Sequence, residues 1–453
     1  MRKNKKLING VVALGVGAFI SKLLGAIYRV PLTNIIGGLG LGLYQMIFPM
    51  YVVLLDFSGA GVPSALSKII SSYSGEDKFY NAENYFKSSI KLFAVVGLIG
   101  WVLMVLLAYP LSNLQGNSQS FIGYLAISPA VFLVSLISCY RGYFQGLMNM
   151  NPTAFSQILE QGVKLLFGLA LAYSLKGSTP LAVAGATLAI TISEAVALLY
   201  LYIKRKRLKE RVLVAYVFER EHNRERIKNI IKTTLPITLI GIMIPLSQLV
   251  DSFLVVNVLN EYRNDATTLY GLMSGVVATV IGLPVSICYG ISMVAIPMVS
   301  SSKTLKEKNK NALRTIGLTF IVALPCAIVC YAFAPFIINL LFKRLPIEEK
   351  IISVSLLKTL SPCVVLLSVL QTTNAVLIGK GKLYKPVASL GVGITIKIIT
   401  SFILLKIPSI NIYGGAIGII ACYFFATLIN LIMITNFRVK HERKTACNRQ
   451  YAS

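Results

Sequence analysis

Lysine is costly in the middle of an apolar run, and two such lysines occur here. Lys164 lies about eleven residues into the apolar run 153–174, and Lys397 about twelve into 385–406. At 1.5 Å rise per residue both are roughly 17 Å deep, close to the centre of a bilayer. A charge there costs about 2.5–3.5 kcal/mol on insertion scales and persists where it faces a bundle interior or a wet cavity. Snorkelling reaches only from helix ends. A pair of such cations has the chemistry to receive a diphosphate. The competing reading is local neutralisation: Glu160 precedes Lys164 by four residues, the favourable order for a helical ion pair. Lys397 has Gly393 at the corresponding position.

Other ionisable residues share the apolar runs. Lys22 stands beyond the midplane of the first run and Arg29 near its far end; Arg29 suits bidentate phosphate contact, with interfacial anchoring as the rival. Asp56, Asp251 and Glu194 could hold a coupling Na⁺ or proton, or pair with the nearby cations. Arg141 lies near the end of its run, where snorkelling competes with cargo contact. Gln145 is a neutral candidate, with Gln161, Gln248 and Asn374, for helix–helix hydrogen bonds or for sugar contact. Metal and enzyme chemistry find little support. The two histidines, His222 and His441, lie in basic segments. None of the seven cysteines has metal spacing with histidine. Walker A, zinc and paired-carboxylate motifs are not apparent. No cofactor is expected and a catalytic role, such as that of a membrane glycosyltransferase, is disfavoured.

The elements that must position these residues are membrane helices. The 453-residue chain is 55% hydrophobic and only 13% charged, against roughly 25% charged in soluble domains. Runs long enough to cross a core of about 30 Å are placed at 7–36, 43–71, 88–109, 120–147, 153–174, 180–203, 233–259, 269–300, 314–342, 351–378, 385–406 and 412–436. That is an all-α integral membrane protein of about twelve spans. Pro49, Pro63, Pro245, Pro284 and Pro325 fall within spans and predict kinks. The net charge of +27 would suggest nucleic acid on a soluble protein; here Lys and Arg cluster in alternate loops, which predicts a cell-membrane location with both termini cytoplasmic and no nucleic-acid partner. The sequence divides into a six-helix lobe at 1–203, a basic linker at 204–232 beginning Lys204-Arg205-Lys206-Arg207, a second six-helix lobe at 233–437 and a cytoplasmic tail at 438–453. Anionic membrane lipids are the expected partners of the linker. A monomer is the default oligomeric state.

The two halves repeat. Ser128-Pro129 matches Ser361-Pro362, Ser135 matches Ser368, Gly146 matches Gly379 and Lys164 matches Lys397, all at an offset of 233. Gly61–Ser72 aligns with Gly290–Ser301 at an offset of 229. Six spans per half make the repeats parallel, related by an axis along the membrane normal. That arrangement suits alternating access and places Lys164 and Lys397 at equivalent positions.

Several stretches resemble a known group of transporters: Ser21-Lys22-Leu23-Leu24-Gly25 with Tyr28-Arg29-Val30-Pro31-Leu32, Gly42-Leu43-Tyr44-Gln45, Arg141-Gly142-Tyr143-Phe144-Gln145-Gly146, Met150-Asn151-Pro152-Thr153-Ala154, and Ser156-Gln157-Ile158-Leu159-Glu160-Gln161. Together they look like the stage V sporulation protein B branch of polysaccharide exporters, related to MurJ-type lipid II flippases and, more distantly, to MATE multidrug extruders, all of the MOP superfamily. The resemblance implies a two-lobed transporter that turns a polyprenyl-diphosphate-linked glycan, a peptidoglycan or polysaccharide precursor, from the inner to the outer leaflet. Coupling to Na⁺, protons or the membrane potential is implied with it, and a cell-wall or sporulation setting. MurJ-type flippases typically carry two further C-terminal helices; this chain ends about fifteen residues after the twelfth span. A cation-coupled extruder of drug-like cations is the alternative, opposed by a lumen expected to be richer in Lys and Arg than in acids.

Overall fold

Long apolar stretches broken by glycine, proline and short polar turns give a helical chain. The computed structural model describes residues 2–73, 77–212, 223–302, 304–382 and 384–450. The side chain of Lys22, residues 213–222 of the linker, and the side chains of the tail lie outside the described ones. Two compact units form, Met1–Val256 and Asn257–Ser453. The first holds α1 (Arg2–Leu55), α2 (Val62–Ser72), α3 (Asp77–Leu114), α4 (Phe121–Gly146), α5 (Asn151–Ser174), α6 (Thr179–Val212) and most of α7 (Asn223–Asn260). The second holds the end of α7, then α8 (Ala266–Gly271), α9 (Ala278–Ser300), α10 (Leu305–Ala332), α11 (Ala334–Leu341), α12 (Ile347–Leu360), α13 (Pro362–Gly379), α14 (Tyr384–Leu405) and α15 (Tyr413–Gln450). No strand occurs among the described residues.

Ten segments among the described residues are long and apolar enough to cross a bilayer, against about twelve expected. Two local features account for the difference, and a further expected span is shortened. Leu23–Ser72 runs as one segment through both of the first two expected spans. The expected span 351–378 breaks at Ser361, and Pro362–Gly379 alone qualifies. Gln157, Glu160, Gln161 and Lys164 make α5 more polar than its neighbours, and α5 does not qualify. Spans one and two meet at Gly37, whose backbone (φ 71°, ψ −175°) is open to glycine and strained for other residues. Asp56–Ala60 and Leu272–Val277 form π-helical turns, a geometry enriched at functional positions. Pro63 starts α2 rather than kinking a span.

The repeat is visible in packing. A Cβ on Gly146 would lie 2.6 Å from Ile70, and one on Gly379 would lie 3.1 Å from Val299. Ile70 and Val299 are themselves repeat equivalents, so α2 meets α4 as α9 meets α13. One turn earlier Gly142 faces Leu66; the equivalent positions hold Ala375 and Ala295, both in one buried cluster. A small–large pair in one unit becomes a pair of intermediate size in the other, which keeps the helix spacing.

α7 packs with the first unit, although sequence reading assigns its span to the second lobe. A Cβ on Gly61 would meet the Thr234 carbonyl at 2.7 Å, and Gln115 donates to Ser252 at 2.8 Å. The same Gln115 amide donates to the Met46 carbonyl at 3.0 Å, and its Oε1 accepts from Tyr124 at 2.7 Å. At the opposite end, Tyr85, Phe86, Tyr140, Tyr143 and Leu201 belong to one buried cluster joining α3, α4 and α6. Arg205 lies 4.0 Å from the centroid of the Phe86 ring and pairs with Glu83 at 2.6 Å.

Candidate functional site

Helices α1, α4, α5 and α6 bring five of the expected residues into one polar cluster inside the first unit. Arg141 stands near the C-terminal end of α4. Its Nη2 donates to Glu160 Oε2 at 2.8 Å and its Nε to Ser156 Oγ at 3.1 Å. The Arg141 and Glu160 side chains are only 15% and 16% exposed. Snorkelling, one of the two sequence readings, is therefore not what Arg141 does. Ser156 and Glu160 are four apart on α5 and present one face to α4. Gln161 closes the cluster, donating to Glu160 Oε1 at 3.1 Å.

Lys164 is not neutralised by Glu160. That carboxylate is held by Arg141, and the Lys164 ammonium sits over two rings of α1, 5.4 Å from the Tyr28 centroid and 5.6 Å from that of Phe48. A cation over two ring faces is stabilised without giving up its charge. Glu194 on α6 is 4% exposed, and its Oε2 finds no hydrogen-bond partner. It feels the charges of Glu160, Arg141 and Lys164. Tyr28 Oη and Gln157 Oε1 are likewise buried without a partner. An unsatisfied buried polar atom costs about 1–3 kcal/mol, and each such atom calls for a water, an ion or a ligand.

The remaining expected residues do not join this cluster. Arg29 is half-buried on α1 one position after Tyr28, and Gln145 is half-buried near the end of α4. Asp56 occupies the π-helical turn, where a Cβ on Gly241 of α7 would lie 3.7 Å from its Oδ2. Asp251 is half-buried on α7. Lys397 belongs to the second unit, 5% exposed on α14. Asn374 accepts from Asn430 at 2.7 Å, and Asn430 in turn holds Thr373 and Ser389, as helix–helix bonds should. No group of three or more His, Cys, Asp or Glu among the described residues could hold a metal. Tyr28, Phe48 and Ser156 were not singled out by sequence. The signal available was the pairing of Arg141-Gly142-Tyr143-Phe144-Gln145-Gly146 with Ser156-Gln157-Ile158-Leu159-Glu160-Gln161, whose charged ends meet.

The described residues form an all-helical bundle of long apolar helices with charged side chains buried among them, a multi-pass membrane fold that solved structures share. A MATE family multidrug resistance transporter of the MOP superfamily in its inward-facing conformation superposes with a TM-score of 0.72 at 16% identity, covering 96% of this chain and 99% of that one. Lipid II flippase MurJ in an inward closed conformation gives 0.70 at 16% identity, covering 94% and 87%. The chain belongs to the polysaccharide biosynthesis protein family, whose model matches residues 7–303. Curated relatives include the lipid II flippase MurJ of Bacillus subtilis, 24% identical over 95% of this chain and 83% of the relative. The stage V sporulation protein B of the same organism is 24% identical over 94% and 83%.

Proposed function

We propose that this protein flips a polyprenyl-diphosphate-linked glycan, a precursor of the lipid II or polysaccharide type, from the inner to the outer leaflet of the cytoplasmic membrane. It does so by alternating access, with both termini on the cytoplasmic side. The observation that carries the reading is the state of two cations of this cluster: Arg141 is held by the Glu160 carboxylate, and the Lys164 ammonium lies over the Tyr28 and Phe48 rings. A diphosphate brings charge enough to compete with Glu160 for the Arg141 guanidinium. Lys164 leaves its aromatic seat for the second phosphate. Arg29 and Gln145 in the same unit are further candidates for headgroup contact, and Lys22 and Lys397 are candidates by their positions in the sequence. Glu160 and the buried Glu194 bring two carboxylates to the cluster and are the first candidates to hold a coupling ion. Asp56 and Asp251 are further coupling candidates. Coupling by this route biases the two access states only as far as the ion prefers one of them.

The second reading is a cation-coupled multidrug extruder, favoured by the TM-score of 0.72 to the MATE transporter. A fold does not fix a cargo, and Arg141 and Lys164 give the cluster two groups that an anionic headgroup can engage. Native mass spectrometry of the purified chain with polyprenyl-diphosphate sugars and organic cations separates the two. Diphosphate-lipid binding that weakens in Lys164→Ala and Lys397→Ala supports the flippase and both sites. Binding untouched by either substitution removes the paired-lysine site. Cation binding without diphosphate-lipid binding overturns the flippase.

A further inference from the structure

A trough runs along α4 on the first unit, walled by α3 and α6. Its cavity of about 350 Å³ is lined by Ile90 of α3, Leu133, Leu136 and Tyr140 of α4, and Ala195 and Tyr202 of α6, with little polar surface. Leu133–Tyr140 and Ala195–Tyr202 each advance seven residues, roughly 10 Å along the helix. Leu199 and Tyr202 are 57% and 50% exposed, large apolar surfaces with no protein over them.

One end of the trough is basic. Beyond Tyr202, α6 continues as Lys204-Arg205-Lys206-Arg207, and α3 carries Lys87 and Lys91 on either side of Ile90. Glu83 fastens the two flanks together: it pairs with Arg205 at 2.6 Å and lies 3.9 Å from Lys87. That carboxylate is shared, while Lys91, Lys204, Lys206 and Arg207 stay exposed. The trough floor offers a polar headgroup almost nothing, and the basic end offers an apolar chain nothing. A molecule with an anionic head and a hydrocarbon tail satisfies both ends at once.

We propose that this trough binds an anionic phospholipid, one acyl chain along the α4 floor and the phosphodiester among the cations at the ends of α3 and α6. The proposal stands apart from the transported cargo, since none of the trough residues belongs to the Arg141–Glu160–Lys164 cluster. It gives the basic segment after α6 a defined ligand. A bound lipid bridges α3 and α6 in parallel with Arg205 and Glu83, so the lipid composition of the leaflet acts on the helix that carries Glu194.

The test uses the full chain in phosphatidylcholine nanodiscs doped with a phosphatidylglycerol carrying a diazirine in its acyl chain, or with a phosphatidylcholine carrying the same chain. Cross-linked peptides are mapped by mass spectrometry. Phosphatidylglycerol label should concentrate on 133–140 and 195–202 and exceed the phosphatidylcholine label there about fivefold or more. Lys87→Gln with Lys91→Gln and Lys204→Gln should lower it by roughly tenfold. Ala195→Trp, which fills the trough, should abolish it, and Leu199→Trp serves where Ala195→Trp melts below the parent chain. Equal labelling by the two lipids, or label spread evenly over other exposed apolar faces such as Leu318–Ile328 of α10, overturns the proposal. Trough label that ignores neutralisation of the three lysines overturns it too, because the head would then have no site.

Discussion

The Arg141–Glu160 pair sets stability against cargo affinity, and Glu160→Gln separates them. The pair is 2.8 Å long and both side chains are about 15% exposed. Removing one partner of a fully buried pair costs about 3–5 kcal/mol, whereas an exposed pair is worth about 0.2–1 kcal/mol. With little exposure left, and with the Gln amide still able to accept one hydrogen bond, the loss should be about 2 kcal/mol. Arg141→Gln should cost a similar amount. The double variant should cost less than the sum by about 1–2 kcal/mol, since it strands no charge. Affinity should move the other way in Glu160→Gln. The carboxylate is the internal competitor of an incoming diphosphate, so its removal frees the guanidinium and should raise diphosphate-lipid affinity about tenfold, the equivalent of 1.4 kcal/mol. Arg141→Gln should lower that affinity. Thermal melting of the four proteins and native mass-spectrometric titration with a polyprenyl-diphosphate lipid read both effects. If Glu160→Gln binds more weakly than the parent, or if the two substitutions are additive in stability, the competitive role of Glu160 is wrong.

Three further outcomes follow from local geometry. Gly37→Ala should destabilise by about 1 kcal/mol, although no atom lies within 4 Å of the added methyl, because the cost is in the left-handed backbone; a shift well below that in thermal melting would contradict the Gly37 conformation. Gly146→Ala should cost about 1–3 kcal/mol through its 2.6 Å clash with Ile70, and Ile70→Ala should recover part of it in a double-mutant cycle, which strictly additive losses would rule out. In the turn between α7 and α8, Arg263 grips Asp265 at 2.6 and 2.8 Å and holds that carboxyl below its ordinary range. A lowered folded-state pKa stabilises above the ordinary carboxylate value and is lost as pH falls through the lowered one. Because the two side chains are 37% and 42% exposed, the effect should be under about 1 kcal/mol. Asp265→Asn should flatten the acid limb of the melting curve by that amount, and a larger change would assign it elsewhere.

The repeat was the part of the fold most legible in the sequence. Offsets of 233 and 229 predicted which glycines and which aliphatic residues correspond, and Gly146–Ile70 and Gly379–Val299 meet accordingly. The gap between the first two expected spans, after residue 36, contains the Gly37 break, whereas Pro63, expected to kink its span, starts α2. The attachment of α7 was not legible, because hydropathy measures how far a segment prefers lipid and is silent on which neighbours it chooses. The site followed the same division. Depth along an apolar run singled out Lys164 and Glu194, while Glu160 was noted for its spacing from Lys164 and Arg141 for its place near the end of its run. Which partner each would take is a tertiary matter: Glu160 has a candidate four residues away on its own helix and pairs instead with Arg141, nineteen residues back. Helical spacing gives neighbours on one surface, while a guanidinium from a second helix offers two aligned donors and wins the carboxylate.

The polarity of α5 bears on how the chain enters the membrane at all. Glu160 and Lys164 stand on the same helix as Gln157 and Gln161, and that helix is not among the segments apolar enough to cross a bilayer unaided. Each charge at mid-depth adds about 2.5–3.5 kcal/mol to insertion. The residues that relieve this cost are Arg141 on α4, synthesised earlier, and the rings of Tyr28 and Phe48 on α1. We expect α5 to partition into the bilayer as it docks onto α1 and α4, which carry the groups that meet its charges. A ribosome-bound intermediate truncated after α5 should integrate that helix when α1 and α4 are intact, and fail to when Arg141 is absent.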